Sequence, residues 1–100
     1  MLNENERGKI TDKIKEISKN FLGEEISQLE LRLYPYIDYC LKNGGYLERA
    51  KMSREEIGII QTREQQGYCK RHYDGSITVT REFYNYMQDV LAEGYVLWEF

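Results

Sequence analysis

SREEIGIIQTREQQGYCKRHYDGSITVT, residues 53–80, is the stretch that decides the fold class. Ser53-Arg54-Glu55-Glu56 reads as a capping box. The serine hydroxyl can accept from the Glu56 amide, and the Glu56 side chain can reach back to the Ser53 amide. A helix follows, with Ile57 and Ile60 as its buried stripe and Ile59 beside them, and Gly67 closes it. Tyr68–Tyr73 and Ser76–Thr80 then flank Asp74-Gly75. Asp-Gly is the signature of a type I′ turn, in which both central residues take positive φ. Ile77 and Val79 alternate with Ser76, Thr78 and Thr80, the period of a half-buried strand. A capped helix followed by a β-hairpin at 68–80 places the chain in the α+β class.

Working outward, Thr80 caps a last helix over 81–93. Phe83, Tyr84, Met87, Val90 and Leu91 give that helix a broad apolar face, and Gly94 is expected to stop it. Before residue 53, residues 46–50 can hold a short extended piece, a possible third strand. Gly44-Gly45 ends a helix over 24–43, in which Ile26, Leu29, Leu33, Ile37, Cys40 and Leu41 keep the helical period. Pro35 sits inside it, so the segment is either one kinked helix or two that abut. The alternation Leu29, Leu31, Leu33 admits a competing strand over Gln28–Tyr34. A first helix spans 4–21, with Ile10, Ile14, Ile17 and Phe21 on one face and Gly23 as its stop. The expected architecture is one domain over 1–100 with three to four helices and a hairpin, and a third strand from 46–50 or 95–100. The expected core is Ile14, Ile17, Phe21, Leu29, Leu33, Ile37, Leu41, Ile57, Ile60, Phe83, Met87, Val90 and Leu91.

The 100 residues carry a formal charge of −3, with 41% hydrophobic and 31% charged residues, the balance of a folded domain. Residues 46–80 hold six Lys/Arg against five Asp/Glu, +1, and residues 81–100 hold one against four, −3. No basic stripe stands out, which weakens a nucleic-acid reading. The start of the chain lacks a signal-peptide pattern, and the longest apolar run, Tyr95–Trp98, is far too short to span a bilayer. A cytoplasmic protein without a membrane partner is expected. Cys40 and Cys69 are far apart with no CxxC pairing, which suits two buried thiols, although sequence leaves their pairing open.

Catalytic chemistry is not expected. His72 is the sole histidine and has only Asp74 near it, on a hairpin. One histidine and two separated cysteines do not build a usual zinc site. Glu24-Glu25 and Glu55-Glu56 open helices, where carboxylates complement the dipole. Gly44-Gly45 lacks the Lys-Ser/Thr of a phosphate loop. Neither a catalytic residue, a metal nor a cofactor is assigned.

Nine tyrosines are the compositional outlier. Tyr34, Tyr36 and Tyr39 cannot all lie on the face defined by Leu33, Ile37 and Leu41, so some must be exposed. Tyrosine is enriched at interfaces, where a large apolar body carries a polar tip. The expected function is a non-enzymatic protein-binding module with Tyr36, Tyr39, Tyr46 and Trp98 as its contact residues. A small regulator, or an inhibitor of a host protein of the kind phages and mobile elements encode, has this size and character. A self-complementary aromatic patch would equally serve a homodimer.

Residues 53–80 also resemble the recognition-helix-plus-wing half of winged helix-turn-helix domains. The order Ser53–Gln66, Gly67, Tyr68–Tyr73, Asp74-Gly75, Ser76–Thr80 carries the likeness, over about a third of the chain. The resemblance implies a DNA-binding transcriptional regulator as the alternative function. Arg54, Gln61, Thr62, Arg63 and Gln65 would then face the major groove, and Lys70, Arg71 and His72 would meet phosphates. Against it stand the long connection Asn43–Met52 and the acidic start Glu55-Glu56.

Overall fold

Residues 8–95 are described by a computed structural model. Helix α1 (Asp12–Leu22) leads to α2 (Gln28–Lys42), a single 3-10 turn (Arg49–Lys51), α3 (Arg54–Gln65), strands β1 (Cys69–Arg71) and β2 (Ile77–Val79), and α4 (Arg81–Gly94). The class is α+β, as the hairpin and capping box predict. Each α-helix starts where a hydroxyl accepts the amide three residues on: Thr11 from Ile14, Ser27 from Glu30, Ser53 from Glu56 and Thr80 from Phe83. At Ser53 both halves of the capping box are made. These caps satisfy donors that the first helical turn leaves without partners.

Helix α1 runs from Asp12 to Leu22, so it begins well inside the expected 4–21 span and not at residue 4. Thr11 is extended and caps it. Upstream, the Gln28 side chain holds the chain out of helical geometry. Its oxygen accepts from the Ile10 amide at 3.0 Å and its nitrogen donates to the Gly8 carbonyl. Residues 1–7 lie outside the described residues.

Helix α2 is one element with Pro35 inside it, so the competing strand over Gln28–Tyr34 is not formed. The proline removes the amide that would serve the Leu31 carbonyl four residues back. The Tyr95 hydroxyl, at the end of α4, lies 3.4 Å from that carbonyl and donates to it. A hydroxyl from another helix thus reaches the acceptor that the proline leaves unserved.

Helix α4 packs against both α1 and α2. Gly94, expected to stop it, is instead its last helical residue and is buried. A Cβ there would sit 3.3 Å from Ile14 Cδ1 and 3.4 Å from Leu31 Cδ1. Close approach of three helices, not a left-handed turn, is what needs glycine here.

The core holds Ile14, Ile26, Leu31, Leu33, Tyr34, Ile37, Ile60, Ile77, Phe83, Tyr86, Met87 and Val90. Leu31 and Tyr34 are buried where Leu29 was expected, because α2 contacts α3 on one side and α4 on the other and buries a wide arc. Leu29 and Ile57 are only half-buried. Ile17, Phe21, Leu41 and Leu91 pack against the core from its edge.

Strands β1 and β2 pair antiparallel with Lys70 opposite Thr78. Asp74-Gly75 does turn the hairpin, but not as type I′: among the described residues only glycines have positive φ, so Asp74 does not. The Gly75 amide donates to the His72 carbonyl and the His72 amide to the Ser76 carbonyl. This is a three-residue loop with glycine in the left-handed position, the next commonest hairpin solution. Asp74 Oδ1 accepts from both the Ser76 amide and hydroxyl, which holds its backbone in the loop. The expected third strand at 46–50 contracts to one antiparallel bridge between Tyr46 and Ser76. Its other suggested place, 95–100, falls mostly outside the described residues.

The outer edge of β1 is closed by a side chain. The Arg71 amide donates to Glu64 Oε2 at 2.8 Å, and Arg71 Nε and Nη2 donate to Glu64 Oε1. An open strand edge invites pairing with other chains, and a carboxylate from α3 occupies this one. Burial raises the Glu64 pKa, but hydrogen bonds and charge from Arg71 outweigh it and hold the carboxyl below its ordinary value. The unfolded chain binds this proton more tightly than the folded one. The contribution is therefore complete above the ordinary pKa of 4.5 and is lost as pH falls through the lower folded value. The difference in urea midpoint between the wild type and Glu64→Gln should be largest at neutral pH and shrink below that range. A difference independent of pH would contradict the assignment.

Candidate functional site

The eight residues of the nucleic-acid alternative divide into two groups. Arg54, Gln61, Thr62 and Gln65 are exposed and fall at steps of seven, one and three along α3, on one uncovered stripe. Lys70 and His72 are exposed on the hairpin, with His72 Nε2 2.9 Å from the Thr78 hydroxyl. Arg63 is buried and not available to a groove or a phosphate, and Arg71 is half-buried with two of its three guanidinium nitrogens held by Glu64. Arg71 is clasped to Glu64 as described, and Arg63 points the opposite way, into the core.

Arg63 is the centre of a buried polar network joining three helices. Its Nε and Nη2 donate to the two carboxylate oxygens of Glu30 on α2, at 2.8 and 2.7 Å. Its Nη1 donates to Glu24 at 3.0 Å and to Gln66 at 2.7 Å. The Tyr34 hydroxyl donates to Glu30 Oε2 and lies 3.1 Å from the Tyr86 hydroxyl of α4. The Arg63 and Glu30 side chains are 6% and 4% exposed, yet among the described residues no buried side-chain nitrogen or oxygen lacks a partner. Such burial is tolerated because the fork-to-carboxylate geometry is bidentate and complete. Burial works against the Arg63 charge, but hydrogen bonds and attraction from Glu30 outweigh it and raise its pKa. The Tyr34 hydroxyl is pushed well up by burial and by Glu30, and burial raises that of Tyr86. Arg63, Tyr34 and Tyr86 keep their protons at physiological pH, and the network bears on packing. Sequence gave no sign of it, because Arg63 on a mostly polar helix looks solvated until α2 is docked against it.

The tyrosines divide just as sharply. Tyr34 and Tyr86 are buried and form an aromatic cluster with Phe21, Tyr68 and Phe83, with centroids 4.6–6.3 Å apart. Tyr36 is half-buried and acts as a brace: its hydroxyl accepts from the Glu48 amide at 2.8 Å. Tyr39 and Tyr46 are 61% and 54% exposed, and Tyr73 at the hairpin tip is fully exposed. The Gly45 amide donates to the Cys40 carbonyl at 2.6 Å, folding the Gly44-Gly45 turn back on the end of α2. Tyr39 and Tyr46 therefore emerge from the same end of the molecule. Of the four expected contact residues, two are open, Tyr36 braces the segment after the turn through Glu48, and Trp98 lies outside the described residues.

No protein-family model matches this chain, and no curated protein or solved structure proves significantly similar to it. Among the described residues no cluster of three or more His, Cys, Asp or Glu side chains could hold a metal ion. No described helix is long and apolar enough to cross a membrane. Both cysteines are free thiols, Cys40 buried and Cys69 half-buried. Burial, chiefly, lifts the Cys69 thiol to about 11, so it is almost wholly protonated at neutral pH and a poor nucleophile.

Proposed function

We propose that this chain is a non-enzymatic protein-binding module whose contact surface is the end of α2 and the turn after it. One observation carries the reading: Tyr39, near the end of α2, and Tyr46, in the turn after it, are both more than half exposed, on a backbone held by ordered hydrogen bonds. Rigid aromatic side chains on a fixed frame lose little entropy on binding, which is why tyrosine recurs among interface hot spots. Small size and mild acidity suit a regulator that blocks or tethers another protein, and a second copy of the chain is an equally acceptable partner.

Affinity capture with the wild type, the Tyr39→Ala/Tyr46→Ala pair and Tyr73→Ala tests this. Recovery of a specific partner should fall at least about tenfold for the pair, the scale of two moderate hot spots, and stay unchanged for Tyr73→Ala. Sedimentation of the same proteins reports self-association. If the pair retained every partner and the oligomeric state, the surface would be wrong.

The α3 stripe favours DNA binding as a second reading, since Arg54, Gln61, Thr62 and Gln65 share one open face. With Arg63 buried on Glu30 and the charge of Arg71 largely balanced by Glu64, the cations left to that surface are few. Titration of a labelled duplex at low salt separates the two readings. Binding that weakens steeply with salt supports the second, and no binding where the electrostatic contribution is strongest removes it.

A further inference from the structure

A cleft of about 270 Å³ opens between the segment 47–52, α3 and the hairpin. Leu47, Met52 and Ile57 line it with aliphatic surface. Leu47 and Met52 lean on the core from their other side, whereas Ile57 packs on no core cluster and is half-buried in the cleft. Polar groups complete the lining: the guanidinium groups of Arg49 and Arg71, the His72 ring, and Glu64 as the single carboxylate. Both oxygens of Glu64 are already occupied by three donors from Arg71. Among the described residues Arg71 Nη1 makes no hydrogen bond, and Arg49 is exposed and forms no ion pair. The cleft therefore offers apolar walls and uncommitted guanidinium donors, and no uncommitted carboxylate.

We propose that this cleft binds a small organic carboxylate with an aliphatic or aryl body, the carboxylate meeting Arg49 and Arg71 and the body lying on Ile57, Leu47 and Met52. Apolar walls with a few convergent charged groups are the usual make-up of a small-molecule site. The volume equals about nine waters of liquid, which limits the ligand to roughly ten heavy atoms. Guanidinium groups favour the carboxylate through bidentate, charge-assisted hydrogen bonds. An amine of the same shape would meet like charge. Neither Tyr39 nor Tyr46 lines the cleft, and the site does not rest on the protein-binding reading.

The test is a titration of the full chain with 3-phenylpropionate, 3-phenylpropanol and 3-phenylpropylamine, followed by amide correlation spectra. The carboxylate should give saturable shifts at Leu47, Ile57 and Gly75, with Kd on the order of 1 mM, as expected for a fragment of this size. The alcohol should bind more weakly, and the amine at least about tenfold more weakly. Arg49→Glu, at an exposed position, should leave the rest of the spectrum in place and weaken the carboxylate by about tenfold or more. Ile57→Ser should weaken all three compounds together. Absence of saturable shifts to about 20 mM, well beyond the affinity expected of a fragment, would overturn the site. So would equal binding of the amine, or a folded Arg49→Glu that binds as the wild type does.

Discussion

Replacing Arg63 with alanine should lower the unfolding free energy by about 3–5 kcal/mol, because it strands the Glu30 carboxylate in the core. Glu30 is 3% exposed, and it would keep only the Tyr34 hydroxyl of the three donors it now receives from side chains. A domain of this size has roughly 5–15 kcal/mol in total, so the variant would be close to unfolding at ambient temperature. The size of the loss reflects an orphaned charge and not the net worth of the pair. Replacing both partners together, Arg63→Met with Glu30→Leu, should recover most of the stability, since well-packed apolar groups often substitute for a buried ion pair without cost. The Tyr34 and Tyr86 hydroxyls would still have each other at 3.1 Å. Urea unfolding followed by far-ultraviolet circular dichroism measures all three proteins. A midpoint for Arg63→Ala within about 1 kcal/mol of wild type would show that the network is solvated, and the buried-charge account would fail.

Phe83→Ala should cost about 3–5 kcal/mol, the range for emptying a buried phenylalanine site. Phe83 is 1% exposed and touches four other rings: Tyr68 stacked at 5.6 Å, Tyr34 edge-on at 6.0 Å, and Phe21 and Tyr86 tilted at 6.3 and 5.6 Å. These rings come from α1, α2, α4 and the residue leading into β1, so the cavity would have walls on every side and little freedom to collapse. Phe83→Leu keeps most of the volume and should cost under half as much, losing chiefly the ring contacts. The unfolding midpoint reports both. An unchanged midpoint for Phe83→Ala would mean that α4 does not present this face to the core.

The contrast between these two residues shows what kind of information a sequence holds. Phe83 is legible because its environment is announced by neighbours at helical spacing, Met87, Val90 and Leu91. Arg63 announces nothing, because its partner Glu30 is 33 residues away and on another helix. The same holds at the surface. That some of Tyr34, Tyr36 and Tyr39 must be exposed follows from α2 being a helix. That Tyr34 is the buried one, Tyr36 a brace and Tyr39 the open one depends on where α3, α4 and the segment after Gly45 come to rest.

The α+β class, the hydroxyl caps at Ser53 and Thr80, the hairpin at Asp74-Gly75 and the apolar face of α4 follow from the chain alone, because caps, turns and periodicity act over a few residues. The single bridge at Tyr46, the carboxylate closing the β1 edge, the Tyr95 hydroxyl on the Leu31 carbonyl, the burial of Arg63, the clasp of Arg71 on Glu64 and the cleft beside Ile57 were decided only by tertiary structure. Each of these depends on groups supplied by separate elements, and no local pattern encodes which elements will meet.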